Sequence, residues 1–418
     1  MLVAFATNNE KIRAIMKVVI LSKALVAGAY QRKLEEIARL GVDLTALVPP
    51  SWREPRVGEQ RLERRFTAGY RLEALPIALN GRHHLHFYPA IGSALRRLRP
   101  DVLHIDEESF NLATFLAMRA GLAVGARCCF YNWANIDRRY PPPFSFFEQH
   151  SFRHAAHAIA GNQDAAAIIR RHGYRGPVTV IPQFGVDPEM FALKEAGGGM
   201  RDEGGGMRDE GGGMKDEGSF RPSSLLPHPS SLLLHPSSFT IGYLGRLVPE
   251  KGILDLVEAM CGLPDHIRLR LIGDGVLGQA ITILAKTLGV DARVELCPAV
   301  GSTEVPVALA GLDLLVLPSR TTPNWKEQFG RVLIEAMSCG VPVLGSSSGE
   351  IPHVIGDAGM IFPEGDTLAL RQEIARIATN PALHADLARR GRARILAEFT
   401  QAAIARRHVE VYAAMLGQ

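Results

Sequence analysis

Glu327 and Glu335 stand eight positions apart in the run Lys326-Glu327-Gln328-Phe329-Gly330-Arg331-Val332-Leu333-Ile334-Glu335-Ala336-Met337. The second lies between Ile334 and Ala336 in an otherwise apolar helical segment, where burying an unpaired carboxylate would cost several kcal/mol, so it needs a partner. A helix start at Phe329-Gly330 puts free backbone N–H groups and the positive end of the helix dipole beside both carboxylates. Acceptors for hydroxyl groups next to amides that attract anions suit a phosphorylated, hydroxyl-rich ligand. If helix covered the whole interval, the two residues would lie about 12 Å apart along its axis. That is too far for a retaining-hydrolase dyad, which needs about 5 Å, so the pair reads as two ends of one ligand.

Upstream, Gly245-Arg246 is followed by Lys251-Gly252, and Gly273-Asp274-Gly275 comes later. Gly245 allows a close backbone approach. A guanidinium at Arg246 can fork to phosphate oxygens while Lys251 adds a point charge, which together would suit a diphosphate. Two solvated surface cations are the bland alternative. Gly273-x-Gly275 fits any strand-to-helix turn and lacks the third glycine of the dinucleotide fingerprint. Glu335 can accept two hydrogen bonds from a ribose diol, unless it simply turns to solvent at a helix edge. Glu327, on the preceding loop, would face the transferred group. His83, His84 and His86 lack a second ligand cluster and read as surface or packing residues, so no metal site is expected.

The elements that must position these residues alternate in type. Val18–Leu21, a helix near Tyr30–Leu40 and Val42–Val48 make a βαβ opening, with Gly41 at the end of the helix. Val102–Ile105 runs into Asp106-Glu107-Glu108. Helical Leu112–Ala120 leads to Cys128–Tyr131, and Ala155–Ala160 leads to a helix over Asp164–His172 and a strand over Val178–Ile181. In the second half, strands are expected at Thr240–Leu244, Arg268–Ile272, Arg293–Leu296, Leu312–Leu317 and Val341–Leu344. Helices are expected from Lys251 to Met260, over 277–288 and over 303–310, and each motif falls just past the carboxyl end of a strand, where open parallel sheets bind ligands. Such alternation implies two α/β, Rossmann-like domains with sheets covered on both faces.

Length agrees, because single cores stop growing near ~250–300 residues and the chain has 418. The first domain is expected over 16–194 and the second over 239–395, with a C-terminal helix over 396–418 packing back on the first. Residues 197–217 repeat Gly-Gly-Gly-Met-Arg/Lys-Asp-Glu, and a second repeat family follows. With so little to bury, 195–238 reads as a disordered insertion between domains. Residues 1–15 read as a loose tail or start-site artefact, ahead of a fresh start at Met16.

A hydrophobic content of 47% and a net charge of +4 describe a globular protein and give no argument for nucleic acid. Ten arginines but only Glu54, Glu59, Glu63 and Glu73 fall between Arg53 and Arg99, a surface suited to an anionic membrane or substrate. A solvated face with local pairs is the alternative. Five scattered cysteines point to the reducing cytoplasm, with the inner face of the membrane as the place for any lipid contact.

Gly245-Arg246…Lys251-Gly252, Gly273-Asp274-Gly275, Glu327-x7-Glu335-Ala336-Met337, Gly340-Val341-Pro342-Val343 and Gly349-Glu350-Ile351 together resemble the family-four retaining glycosyltransferases of the GT-B fold. The resemblance covers essentially all of 239–375. Upstream, Trp133-x-Asn135-Ile136, Tyr140-Pro141-Pro142-Pro143-Phe144, Gly161-Asn162 and Pro182–Asp187 are similar to that family's acceptor domain. It implies two domains facing across a cleft, a nucleoside-diphosphate-sugar as donor substrate and no separate cofactor. It also implies a glycan or lipid-linked acceptor, in polysaccharide or glycoconjugate synthesis. By the same resemblance Arg246 and Lys251 neutralise the donor diphosphate with the amides of Phe329, Gly330, Arg331 and Val332. Glu335 holds the ribose and Glu327 the donor sugar, while Gly245, Gly273 and Gly275 line the site. Many members place a His in the loop matching Phe130–Asn135. Here that loop reads Tyr131-Asn132-Trp133-Ala134-Asn135, so Asn132, Asn135, Asp106 and Glu107 are the acceptor-side candidates. His353 stands where a Glu is common. No Asp-x-Asp occurs, in keeping with a GT-B enzyme that needs no divalent metal. The rival readings are a nucleotide-sugar epimerase of the same fold and a non-catalytic nucleotide-sugar-binding protein.

Overall fold

The computed structural model describes residues 16–54, 58–193 and 238–418. The expected tail over 1–15, nearly all of the insertion expected over 195–238, and Arg56 lie outside them.

The first domain opens on β1 (Lys17–Leu21), helix α1 (Arg32–Arg39) and β2 (Asp43–Val48). An antiparallel hairpin of β3 (Ser51–Glu54) and β4 (Gly58–Arg61) precedes β5 (Arg71–Ala74) and α2 (Ile91–Leu98). Then come β6 (Val102–Ile105), α3 (Leu112–Ala123), β7 (Arg127–Asn132), α4 (Phe144–His154), β8 (His157–Ala160), α5 (Gln163–Arg171) and β9 (Val178–Val180). Its parallel sheet runs β5-β2-β1-β6-β7-β8-β9. Strand order reverses between β1 and β6, so their carboxyl ends open onto a crevice. Alternation along β1 sends Val18 and Ile20 into one core and Val19 and Leu21 into the other. A strand buried on both faces must be apolar throughout, which is why it reads as an unbroken run.

The second domain repeats this plan with β10 (Phe239–Leu244), α6 (Ile253–Ala259), β11 (Ile267–Ile272), α7 (Gly278–Thr287), β12 (Val294–Cys297), α8 (Val305–Ala310) and β13 (Leu314–Leu317). It continues with α9 (Arg331–Ser338), β14 (Val343–Ser346), α10 (Ile351–Ile355), β15 (Met360–Phe362), α11 (Thr367–Ala378) and α12 (Pro381–Arg394). Its sheet runs β12-β11-β10-β13-β14-β15, with the switch between β10 and β13. This is the GT-B architecture.

The chain crosses between domains twice, side by side. Val186 pairs with Thr400 as a parallel bridge, and its N–H donates to the carbonyl of Phe399 at 2.9 Å. Val186 and Phe191 belong to the second core although they precede the insertion, so the first domain's exit is already seated on its neighbour. After a π-helical turn over Ile395–Phe399, α13 (Gln401–Leu416) returns to the first domain, burying Ile404, Val411, Tyr412 and Met415. Beneath it Tyr412 Oη and His104 Nδ1 share a hydrogen bond of 2.7 Å. Burial, with the Lys33 ammonium nearby, holds the His104 imidazole down to about 3.

Candidate functional site

The two switch points face each other. In the second domain, the β10 turn carries Gly245 and Arg246, and the β11 turn carries Gly273 and Gly275. The turns lock together: Gly245 N–H donates to Ile272 O at 3.0 Å and Leu247 N–H to Asp274 O at 2.8 Å. A Cβ on Gly273 would lie 1.9 Å from the carbonyl oxygen of Gly245, at a φ of 150°, so only glycine fits. Both glycines therefore serve the shape of the crevice.

Lys251 reaches from the next turn to Glu327. Its Nζ donates to Glu327 Oε2 at 2.5 Å, and Ser319 Oγ donates to the same oxygen at 3.0 Å. Glu327 is 7% exposed, so this is a desolvated pair with an added hydroxyl. Both bonds fall on Oε2, which leaves Oε1 without a hydrogen bond among the described residues. Lys251 Nζ also lies 4.9 Å from the ring centroid of Trp325, a cation–π contact. Arg246 stays largely exposed, with only a 3.7 Å contact to Glu250. Of the two cations assigned to a diphosphate, Arg246 is the freer, and Lys251 is held by Glu327.

Helix α9 begins later than the 12 Å spacing assumed. Gly330 is its N-cap at φ 75°, and Glu327 lies on the loop before it, so a helical rise across the whole interval does not apply. The amides of Phe329, Arg331 and Val332 are clustered at that helix start. The partner demanded by Glu335 is Arg331, one turn earlier, at 3.1 Å. Burial raises the Glu335 carboxyl above its ordinary range, and Arg331 opposes that rise. Both residues line a cavity of about 160 Å³ that Tyr30, Arg65 and Phe66 of the first domain close from the other side.

The acceptor-side candidates separate. Asp106 lies in the first domain's interior and accepts from Ser22 Oγ at 2.6 Å across the β1/β6 switch. Glu107 is ion-paired with Lys23 and with His86 Nε2, the latter at 3.3 Å. Burial would raise Glu107, but the Lys23 ammonium and the neighbouring His86 ring prevail and hold it at about 2. Asn132 is spent on Ser109, accepting from its N–H at 2.8 Å and donating to its Oγ at 3.2 Å. These three make their hydrogen bonds and ion pairs within the first domain, while Asp106 Oδ1 has no hydrogen-bond partner among the described residues. Asn135 alone of the four reaches the other domain, donating to the carbonyls of Lys326 at 3.2 Å and Glu327 at 3.3 Å.

Two buried carboxylates to which the sequence reading gave no role hold loops at the interface. Glu108 Oε1 accepts from the N–H groups of Trp133 and Ala134, both at 3.0 Å, pinning the loop that carries Asn135. Burial raises its carboxyl to about 7 against those two bonds. Glu350 Oε2 accepts from the Gln163 N–H at 2.9 Å, so a second-domain carboxylate sits on the first turn of α5 in the first domain. Burial lifts it, too, to about 7. Three consecutive acids after a buried strand were a usable signal for Glu108; Glu350 stands in the Gly349-Glu350-Ile351 motif, but nothing local points to its partner in the other domain.

Histidines and arginines are largely used locally. His86 is fully buried, while His84 packs against Phe110, Tyr140 and Phe144. Arg71 pairs with Asp43 and Arg97 with Glu73, while Arg64 donates to the carbonyl of Leu72. Among the described residues, no cluster of His, Cys, Asp or Glu could hold a metal ion, and no helix is long and apolar enough to cross a membrane.

Two family models match, Glycosyltransferase Family 4 over residues 31–189 and Glycosyl transferases group 1 over 228–394. The chain belongs to the group 1 glycosyltransferase family. Among curated relatives, the N-acetyl-alpha-D-glucosaminyl L-malate synthase of Bacillus anthracis is 33% identical over 167 residues, 39% of this chain and 42% of that protein. A GDP-mannose-dependent alpha-(1-6)-phosphatidylinositol monomannoside mannosyltransferase of Mycolicibacterium smegmatis is 30% identical, over 36% of this chain and 41% of its own. The matches thus span less than half the length of these relatives. Among solved structures, HepE of Anabaena in complex with UDP superposes with a TM-score of 0.64 at 17% identity, covering 96% of this chain and 100% of its own. Sucrose-phosphate synthase of Thermosynechococcus elongatus does so with a TM-score of 0.64 at 19% identity, covering 96% and 99%. The structural likenesses show the two-domain fold.

Proposed function

We propose that this chain is a retaining glycosyltransferase that moves a sugar from a nucleoside-diphosphate-sugar to an acceptor hydroxyl in cell-envelope polysaccharide or glycoconjugate synthesis. The observation that carries the proposal is the Lys251–Glu327–Ser319 cluster at the β10/β13 switch, one loop before the Arg331–Glu335 helix start. Glu335 holds the ribose, Arg246 and the α9 amides take the diphosphate, and Glu327 Oε1 is free to accept from a donor-sugar hydroxyl. Lys251 has two partners to serve, the Glu327 carboxylate and the departing diphosphate. In the reaction the acceptor oxygen forms the new bond to the anomeric carbon as the bond to the diphosphate oxygen breaks. The acceptor proton passes to that leaving oxygen, so no enzyme base is required. The protein's main contribution is electrostatic stabilisation of the leaving group.

HepE crystallised with UDP and with UDP and glucose, and the relatives' names include transfer to L-malate and to phosphatidylinositol mannoside. These names support a nucleotide-sugar donor and a hydroxylated acceptor for this chain. Incubation with UDP-, GDP- and ADP-sugars, with and without candidate acceptors, tests the reading. Release of nucleoside diphosphate that depends on acceptor, with the anomeric configuration retained, is expected. Isomerised donor without acceptor would instead make it an epimerase, and binding without turnover under every condition would make it a non-catalytic binder.

A further inference from the structure

Beside Glu327, between the domains, lies a cavity of about 200 Å³. Arg138, Tyr140 and Asn135 wall it from the loop after β7, and Asn324, Trp325 and Gln328 from the loop after β13. It is smaller than the roughly 300–1,000 Å³ of a drug-sized pocket. That suits one ring with a substituent.

Its position follows from Trp325, whose indole carries Lys251 Nζ at 4.9 Å and so lies against the Lys251–Glu327 pair. The opposite wall is rigid. Tyr140 packs on Phe110 at 4.3 Å between centroids, and Glu108 fixes the backbone of Trp133 and Ala134. Asn135 and Gln328 both commit their amide N–H groups across the interface, to the carbonyls of Lys326 and Glu327 and to that of Trp133. Their amide oxygens remain as acceptors for hydroxyl groups. Two aromatic side chains with a few fixed amides match a ring that has apolar C–H faces and equatorial hydroxyls.

The charge is one-sided. Lys326 is neutralised by Asp164 at 2.7 Å, and Asp137 is held by Arg171 at 3.0 Å and His172 at 2.9 Å. Arg138 has no ion pair among the described residues, only a 3.5 Å contact to Asn324 Oδ1. A guanidinium with its fork unused, at the rim of a sugar-sized pocket, selects a carboxylate or phosphate.

We propose that this cavity is the acceptor subsite and that it takes a sugar or polyol ring bearing an anionic group, seated on Arg138. The proposal rests on the transferase reading above. Titrations of the full chain, followed by tryptophan fluorescence, would use glucose 6-phosphate, glucuronate and methyl glucoside as probes. At least one anionic probe is expected to bind about tenfold or more tighter than methyl glucoside, with the stronger of the two marking phosphate or carboxylate as the group. Arg138→Gln should abolish that preference while melting like the wild type, and Arg138→Lys should keep part of it. Equal binding of charged and neutral probes, an unchanged preference in Arg138→Gln, or displacement of the anionic probe by UDP would overturn the assignment. A separate titration with UDP, GDP and ADP keeps the two readings apart. If a nucleotide binds and no anion preference exists, only the subsite fails; if none binds, the transferase reading fails with it.

Discussion

Replacing Lys251 by Met tests whether the Lys251–Glu327 pair is an energetic unit. At 2.5 Å and an effective dielectric of ~20, the gross attraction between the two charges is about 7 kcal/mol. Desolvation of both ions offsets most of it, because Glu327 is 7% exposed and the Lys251 side chain is 15% accessible. What remains shows when one partner is lost. Lys251→Met leaves a buried carboxylate with only the Ser319 hydroxyl, at a cost of about 3 kcal/mol, the lower end of the range for breaking a buried pair. Glu327→Gln keeps an oxygen for Ser319 but strands the ammonium over Trp325, and costs about 2 kcal/mol by the same reasoning. The double variant removes both charges and should cost less than the sum of the two by about 2 kcal/mol. Urea denaturation of the four proteins measures this coupling. Nucleoside diphosphate titration of the same set should show that binding is weakened in both variants that lack Lys251, whatever their stability, because the cation is missing. A coupling below about 0.5 kcal/mol would mean that the two side chains are merely neighbours, and the account of why Lys251 and Glu327 occur together would be wrong.

Three further outcomes follow from buried titrating groups. Glu108 sits at about 7 in the fold, above its unfolded value, so the folded state holds a proton that the unfolded chain has lost and stability falls as pH rises from about 4.5 to about 7. Glu108→Gln keeps an oxygen for the Trp133 and Ala134 amides and should flatten that part of the pH–stability curve; an unchanged curve would show that Glu108 carries no such linkage. His104 has the opposite sign: held at about 3, it cannot take up the proton that the unfolded chain binds below about 6.5, so about 2 kcal/mol is lost by pH 5. His104→Gln should lower overall stability but reduce the acid slope, with buried His408 supplying the remainder. Tyr412→Phe removes the hydroxyl bonded to His104 and should cost about 1–2 kcal/mol without altering nucleotide binding, seen as a lowered melting temperature with an unchanged titration.

What was legible in the chain was what local patterning determines. The strand ending at Leu317, and Val102–Ile105 apart from His104, are apolar on both faces because helices cover both sides of a parallel sheet, so their carboxyl ends could be read off and the motifs placed there. The hairpin Ser51–Arg61 and β5 were missed because their residues are polar and lie at or beyond the edge of the sheet, where alternation carries little signal. Helix α4 was missed because Pro141–Pro143 and a cluster of phenylalanines obscure a helical period. In the site, Glu335 announced its need for a partner, and the partner was one turn away. For Asp106, Glu107 and Asn132 nothing local in the sequence reveals the contacts they make with Ser22, Lys23, His86 and Ser109.

The two switch points differ in how their polar groups are paired. The β1/β6 switch of the first domain is filled by its own bonds, Ser22 to Asp106 and Lys23 to Glu107, whereas the β10/β13 switch of the second presents Arg246, Lys251 and Glu327 Oε1. Both switches hold buried ion pairs, and it is the second that adds an exposed cation, Arg246, although the two sheets share a topology. The first domain reaches the second crevice through the loop after β7, pinned by Glu108 and touching the Glu327 carbonyl through Asn135. Trp133, Phe184, Phe329 and Phe399 pack around that contact, and Phe399 adjoins the paired crossings at Val186 and Thr400. Any opening of the cleft about those crossings must separate Asn135 from Glu327 and Glu350 from Gln163. The interdomain crossings, the loop after β7 and the loop that carries Glu327 are thus joined by direct contacts, with the buried carboxylates of Glu108 and Glu350 among them.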